Sequence, residues 1–340
     1  TPSRSATPTH TATSSPSVTG TPTRTVTPSH TATRSPTPTA TPTVPTTGVV
    51  VRSSSLYREN GYMHLVGEVR NDSPDNVELV LVSATYLDAL GGVLGTGATY
   101  TEHTILAPGQ RSPFDVMDLD QPAVADWRLV VTCTVIPDDP VQQLTLRGMT
   151  SWVDDDGWHY YVGEVTNSSI ANVRWVRAVL TFYDRSSTVV NVASTAVLAD
   201  VLLPGQSAPF RAIVRAGPVE GTLLMVSTDA QRTSESPVIL VAADPEQEVD
   251  GNGWQHIRGR VVNPGKTTVS VVQAVVTLLD PAENVINCDS AFTVPSTLGP
   301  EESAPFDVVF RDHWGGWVLY RVTPFGQDLG MRRAGRGALP

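Results

Sequence analysis

"YMHLVGEVRN", residues 62–71, places Met63, Leu65, Gly67 and Val69 on one set of alternate positions and His64, Val66, Glu68 and Arg70 on the other. A period of two is the period of a strand, so the first set is expected to face a core and the second to face outward. The stretch then returns twice. Gly67, Gly163 and Gly259 lie 96 residues apart, and the same step relates Asn71, Asn167 and Asn263; Thr85, Thr181 and Thr277; Asp88, Asp184 and Asp280; Pro108, Pro204 and Pro300; and Phe114, Phe210 and Phe306. Tyr161 and Val165 keep the inward set in the second copy, and Ile257 and Val261 keep it in the third.

A longer strand follows in each copy. Val80, Val82, Ala84 and Tyr86 correspond to Val176, Ala178, Leu180 and Phe182, and to Val272, Ala274, Val276 and Leu278; every member is apolar. Its opposite face mixes Glu78, Arg174, Arg177, Ser270 and Gln273 with apolar residues, so that face is expected to be partly wet. Turn signals such as "ENG", "NDSPDN", "ALGG" and "APGQ" recur every 8 to 12 residues, and no 3.6-residue period is long enough for a helix. About seven short strands in each copy is the pattern of a two-sheet immunoglobulin-like sandwich. The fold expected is therefore all-β: three tandem immunoglobulin-like β-sandwich domains at 48–143, 144–239 and 240–340, joined at "IPDDPVQQ" and "TSESPVI". Repeats of this length are whole domains rather than solenoid units.

Three sets of motifs carry a closer resemblance: "ATYLDALGGVLG", "LTFYDRSSTVVN" and "VTLLDPAENVIN"; "GEVRN", "GEVTN" and "GRVVN"; and "LAPGQRSPF", "LLPGQSAPF" and "LGPEESAPF". Together they resemble the FxLYD-type domain of bacterial envelope and secreted proteins, over residues 48 to about 325. The resemblance implies an extracellular module and is nearly silent on its role. The third copy departs most, with Arg260 for the glutamate and Glu301 for the glycine.

Residues 1–47 have a different composition. Every odd position from Thr1 to Thr43 is Thr or Ser, and a 20-residue repeat lies on top, since Pro2, Arg4, Pro8, His10 and Pro16 recur as Pro22, Arg24, Pro28, His30 and Pro36. Proline at this density excludes helix and removes ladder donors, so an extended segment is expected, reaching on the order of 140 Å at about 3.1 Å per residue. Tracts of this composition form O-glycosylated stalks, with a bare linker as the alternative. Candidate O-glycosylation sites are Thr7, Thr9, Thr11, Thr21, Thr23, Thr25, Thr27, Thr31, Thr37, Thr39, Thr41 and Thr43.

The net charge is −11, and because residues 1–47 hold Arg4, Arg24 and Arg34 with no acid, residues 48–340 carry −14. So acidic a body repels phosphate backbones, and no basic stripe with interleaved aromatics offsets it, so nucleic acid is not an expected partner. No run approaches the roughly 18 apolar residues that span a bilayer. Because the chain starts at Thr1 without a charged or apolar leader, any signal peptide or anchor is expected outside it. The two cysteines, Cys133 and Cys288, fall in different copies and read as small buried hydrophobes, with an interdomain or intermolecular disulfide as the alternative.

Asp88, Asp184 and Asp280 stand where a strand enters a turn and are expected to accept the next backbone amides; Asn71, Asn167 and Asn263 are expected to do the same after the first core strand. Asn71-Asp72-Ser73 and Asn167-Ser168-Ser169 also match the N-glycosylation sequon, whereas Asn263-Pro264-Gly265 does not. "DDDG" at 154–157 and "DGNG" at 250–253 read as hairpin turns with solvated acids, and alternatively as calcium loops built on Asp154 and Asp250. Trp158 and Trp254, with Tyr62, open the first core strand and read as anchors at the sandwich edge, or as platforms for sugar stacking. The seven histidines form no metal constellation, since His10 and His30 lie in the stalk and His64 and His256 share an outward position filled by Tyr160 in the second copy. There is no nucleophile elbow, phosphate-binding glycine loop or paired catalytic carboxylates, so neither an enzyme nor a cofactor is expected.

These readings converge on a secreted or cell-surface structural glycoprotein, used as a spacer or as the subunit of an extracellular filament. Sandwich edges and an extended stalk favour head-to-tail self-association into an open fibre, with covalent glycans on the stalk. The alternative is an adhesin or carbohydrate-binding surface protein whose stalk projects the β-domains.

Overall fold

The computed structural model describes residues 48–215 and 222–328. The proposed stalk and all twelve candidate O-glycosylation threonines lie outside the described residues. Twenty strands and no helix are found among the described residues, arranged in six antiparallel sheets.

Two sheets come from the first stretch of chain. One has the order β1 (Val49–Glu59), β2 (Tyr62–Asn71) and β6 (Arg111–Leu119). The other is built on β3 (Asn76–Leu87), flanked on one edge by β4 (Val93–Tyr100) and β5 (Ile105–Leu106) and on the other by β7 (Asp126–Ile136). The next seven strands repeat the plan. β13 (Ser207–Arg215), β9 (Trp158–Asn167) and β8 (Leu144–Val153) form one sheet; β10 (Val173–Tyr183) with β11 (Val189–Ala196), β12 (Val201–Leu202) and β14 (Leu223–Arg232) forms its companion. The last pair consists of β15 (Val241–Val249), β16 (Gln255–Val262) and β19 (Ser303–Phe310) opposite β18 (Val285–Phe292), β17 (Val269–Leu279) and β20 (Leu319–Asp328), with a single Val269–Leu298 bridge where the others have a two-residue strand.

Three large hydrophobic clusters hold the sheets together, each between the two sheets of one pair. Met63, Leu65, Val82 and Tyr86 belong to the first, Val165, Leu180 and Phe182 to the second, and Ile257, Val261 and Leu278 to the third. The inward set read from the alternation is thus buried. Val141 packs against the second cluster and Val238 against the third, a few residues ahead of the expected boundaries.

The recurrent glycine and phenylalanine are cross-strand partners. Gly67 faces Phe114, Gly163 faces Phe210 and Gly259 faces Phe306. A Cβ on Gly67 would lie 2.4 Å from the Phe114 ring and 2.4 Å from Ser53 O, and Gly259 is nearly as crowded, with Phe306 and Ala243 O at 2.9 Å. The ring lies over the bare backbone, which only glycine permits.

Each recurrent asparagine is fully buried and joins the end of one strand to the companion sheet. Asn71 Nδ2 donates to Asp75 O (2.8 Å) and Leu106 O (2.9 Å), while its Oδ1 accepts from Ser73 N (3.0 Å). Asn167 and Asn263 repeat both bonds. An amide nitrogen so enclosed is no acceptor for a glycan, which removes the sequon reading of Asn71 and Asn167. Asp88 Oδ1 accepts from Leu90 N and Gly92 N, Asp184 Oδ1 from Ser186 N and Thr188 N, and Asp280 Oδ1 from Ala282 N and Asn284 N, all at 2.7–2.9 Å. These are the Asx turns expected from the sequence.

Tyr62 and Trp158 do not anchor the core. They are 43% and 37% exposed, and guanidinium groups cover Trp158 and Trp254 instead, Arg215 at 5.9 Å and Arg311 at 4.9 Å from the ring centres. A residue at the mouth of a strand lies beyond the last layer of the cluster, where a long cation can lie across its face.

Candidate functional site

All six sheets belong to one compact unit, and the contacts that join one pair to the next combine buried apolar residues with paired carboxylates. Where alternation predicts an outward face on β2, Val66 is fully buried and Glu68 is 3% exposed. The hairpin β10–β11 of the second pair covers them. Val66, Tyr183, Val189 and Val192 form one small cluster, with Tyr57 packed against it.

Glu68 is satisfied from both sides. Arg111 Nη1 of its own pair donates to Oε1 at 2.7 Å, and the Tyr183 hydroxyl donates across the junction to Oε2 at 2.6 Å. Burial, reinforced by that carboxylate, holds the Tyr183 hydroxyl well above the ordinary tyrosine range. Around this centre Ser55 Oγ donates to Val189 O (2.6 Å), Val189 N to Ser53 Oγ (3.2 Å) and Tyr57 Oη to Asn191 Oδ1 (3.1 Å). One backbone segment of the second pair is thus hydrogen-bonded by the β1 hydroxyls of the first.

A second patch of the same junction lies near residue 103. Thr104 Oγ1 donates to Asp229 Oδ2 (2.7 Å), and Arg177 pairs with the Glu102 carboxylate (3.1 Å) and also donates to Glu102 O. His103 is buried between them with Nδ1 3.0 Å from Ser112 Oγ. Desolvation lowers its pKa from the ordinary 6.5; Arg177 acts in the same direction and Asp229 against it.

The junction between the second and third pairs is built from the same positions one repeat later. Val162, Leu279, Val285 and Cys288 cluster, each 96 residues after Val66, Tyr183, Val189 and Val192. Glu164 takes the place of Glu68 and is met across the junction by Arg321. Thr150 donates to Val285 O as Ser55 donates to Val189 O. Gly148 allows this approach: its φ is +55°, and a Cβ there would lie 2.8 Å from Glu283 O and 3.1 Å from Asn284 Cα. Trp152 stacks on His313 with ring centres 4.0 Å apart, and Arg211 pairs with Asp289 at 3.2 Å. Cys133 and Cys288 are both free thiols, and burial pushes the Cys288 thiol up to about 12.

Trp175 stands beside both junctions. It occupies a β-bulge with φ +52°, as Leu79 (+50°) and Val271 (+55°) do one repeat away, and it is 58% exposed. Arg174, held by Glu235 at 2.8 Å, lies over its ring at 4.1 Å. The indole lines two clefts. One of about 330 Å³ adds Tyr100, Glu102, His103 and Asp229, and one of about 380 Å³ adds Asp200, Glu235, Phe325 and Gln327.

Among the described residues no group of three or more His, Cys, Asp and Glu side chains is placed to hold a metal ion. The acids of the two candidate calcium turns hold their own loops: Asp154 Oδ1 accepts from Asp156 N and Trp158 N, and Asp250 Oδ1 from Asn252 N and Trp254 N. His64 and His256, alike in sequence, each pair with an aspartate of the adjoining strand, Asp115 at 2.8 Å and Asp307 at 2.9 Å.

No family model matches the chain, and no curated protein matches it. Solved structures with some likeness include an exo-chitosanase from Amycolatopsis orientalis (13% identity, TM-score 0.19, 53% of this chain and 26% of that one) and the red sea bream transglutaminase (11%, 0.18, 55% and 29%). A third is the trypsin-activated α2-macroglobulin of Escherichia coli (9% identity, TM-score 0.15, 81% of this chain and 23% of that one). This chain spans less than a third of each, and likenesses this weak carry no argument about fold or activity.

Proposed function

We propose that the chain is a structural spacer of the cell surface or secreted space. In this reading three tandem immunoglobulin-like sandwiches of the FxLYD type are locked in series behind an O-glycosylated Thr/Ser/Pro stalk. Its role is mechanical, not catalytic. The observation that carries the reading is the junction itself: Val66/Tyr183/Val189/Val192 and Val162/Leu279/Val285/Cys288 are one contact used twice. Adjacent modules joined only by linkers move freely; a repeated contact with buried carboxylates restrains them and sets the same relation at every step. The acid-free, Pro-rich composition of residues 1–47 supports the stalk.

Intact mass of the native protein, set against 36.3 kDa of polypeptide, tests the glycoprotein half of the reading. Excess mass mapping to residues 1–47 is expected. A native mass equal to that of the polypeptide would leave a bare linker.

A second reading, a carbohydrate-binding surface protein, is favoured by the half-exposed indole of Trp175, which carries Arg174 over one face and stands between two clefts lined in part by carboxylates. Aromatic faces beside carboxylates and amides suit sugar rings. A glycan array probed with the full chain and with Trp175→Ala separates the two: binding that is lost in the variant supports the second reading, and absence of binding in both leaves the spacer.

A further inference from the structure

The two junctions define a docking pair. The donor is a hairpin that presents an apolar residue at the Val189 position. The receiver is a strand that presents a β-branched residue and, two residues on, a glutamate: Val66 and Glu68, or Val162 and Glu164. The first sheet pair has a donor hairpin of its own, β3–β4, with Leu87, Val93 and Thr96 at the positions of Leu279, Val285 and Cys288. Leu87 is buried within its own pair. Val93, however, is 67% exposed, whereas Val189 and Val285 are fully buried; Leu90 at the tip is 96% exposed and Leu94 is 37% exposed.

The third pair breaks the pattern on the receiving side. Arg258 and Arg260 stand where the other two pairs have Val66 and Glu68, and Val162 and Glu164. Arg258 Nε bonds Asp307 Oδ2 at 2.9 Å and its Nη1 bonds Glu248; Arg260 Nη2 bonds Ser303 Oγ at 2.8 Å and Ser303 O at 2.9 Å. Covering this face with an apolar hairpin would strip water from two guanidinium groups without supplying a partner for either.

We propose that β3–β4 of the first pair is a docking element for another polypeptide that bears the receiver chemistry, a β-branched residue on an outward strand of a sandwich of this repeat type and, two positions on, a glutamate already paired within its own sandwich as Glu68 is with Arg111, because Leu87 and Leu129 stand where the internal donors have Tyr183 and Arg321. Arg258 and Arg260 prevent the third pair of a second copy from acting as that receiver. The inference rests on the internal junctions and goes beyond the spacer reading. It replaces indefinite head-to-tail growth by a docking contact with selected partners, because a heterologous contact that met itself would propagate without closing.

Rebuilding the receiver tests this. The full chain carrying Arg258→Val and Arg260→Ser, which removes both cations without burying an unpaired carboxylate, is expected to associate head to tail, with a sedimentation-equilibrium mass that rises with concentration to at least about twice that of the monomer. The unsubstituted chain should stay monomeric at the same concentrations. Adding Val93→Asp to the double variant should return it to monomer. Either single arginine substitution should give a smaller shift in the same direction, a readout that survives if the double variant folds poorly. A folded double variant that stays monomeric, or association that persists with Val93→Asp, would overturn the proposal. Association of the unsubstituted chain that Val93→Asp abolishes would overturn the part assigned to the two arginines.

Discussion

The Tyr183 hydroxyl lies 2.6 Å from Glu68 Oε2, and the two residues belong to different sheet pairs. Glu68 is only 3% exposed, so its carboxylate depends on the hydrogen bonds it receives from Tyr183 and Arg111. A bond of this kind contributes about 1.5–3 kcal/mol, and removing one partner leaves the other buried and unsatisfied. In a double-mutant cycle, Tyr183→Phe and Glu68→Gln should therefore show a coupling on the order of 1 kcal/mol in urea unfolding. Additive losses would mean that the contact does not join the pairs in solution.

Gly148→Ala addresses the second junction alone. The residue is left-handed, lies at the β8 bulge and faces the backbone of Glu283 and Asn284, so a methyl group there must push the third pair away or strain the bulge. A loss of about 1–3 kcal/mol is expected. Amide exchange should quicken around Glu283–Val285 and remain unchanged at Val189. Equal protection at both junctions in the variant would contradict the assignment.

Asn167→Ala should destabilise the second pair by about 2 kcal/mol or more. The substitution strands Ala171 O and Leu202 O, which the amide now satisfies at 2.8 and 2.9 Å. The predicted effect of Asp184→Ala is smaller, because that turn is exposed and water can replace the carboxylate. Calorimetry of the two variants would reveal the order, and a reversed order would refute this account of the two motifs.

His103 makes the first junction sensitive to acid. Its folded pKa lies below the ordinary 6.5 because burial disfavours the imidazolium, so the unfolded chain takes up the proton first. Its contribution to stability is therefore fully present above pH 6.5 and is lost as the pH falls from there towards the folded value. His64 works in the opposite sense: the hydrogen bond its ring donates to the Asp115 carboxylate raises its pKa, and its contribution is lost as the pH rises through the folded value. Comparison with His103→Gln isolates the first effect. The stability difference between the original chain and the variant should shrink between pH 7 and pH 5, and a difference independent of pH would exclude His103 as the cause.

Much of each sheet pair is legible in the sequence because its determinants are local. Alternation in 62–71 identifies Met63, Leu65 and Val69 as inward, and Asp88 declares its turn by standing two and four residues before the amides it accepts. The junctions are not local. A period of two separates the faces of one sheet but carries no information on what lies beyond the outer face, so Val66 and Glu68 read as outward although a hairpin more than 100 residues later covers them. One signal was present. The outward position that holds Val66 and Val162 holds Arg258 in the third copy, and such a change at a repeated register position marks a face that is covered twice and left open once. Trp158 misled for the related reason that an aromatic at a strand mouth looks like a core residue when the depth of the cluster is unknown.

The central claim, that a repeated contact locks the sheet pairs into one body, is tested most directly by residual dipolar couplings from the backbone amides of residues 48–328 in the full chain. A single alignment tensor should fit the couplings of all six sheets, and Glu68→Ala should split off the first pair while the second and third continue to share one. Couplings from the unsubstituted chain that require a separate tensor for each pair would show that the junctions do not hold, and the spacer reading would lose its support.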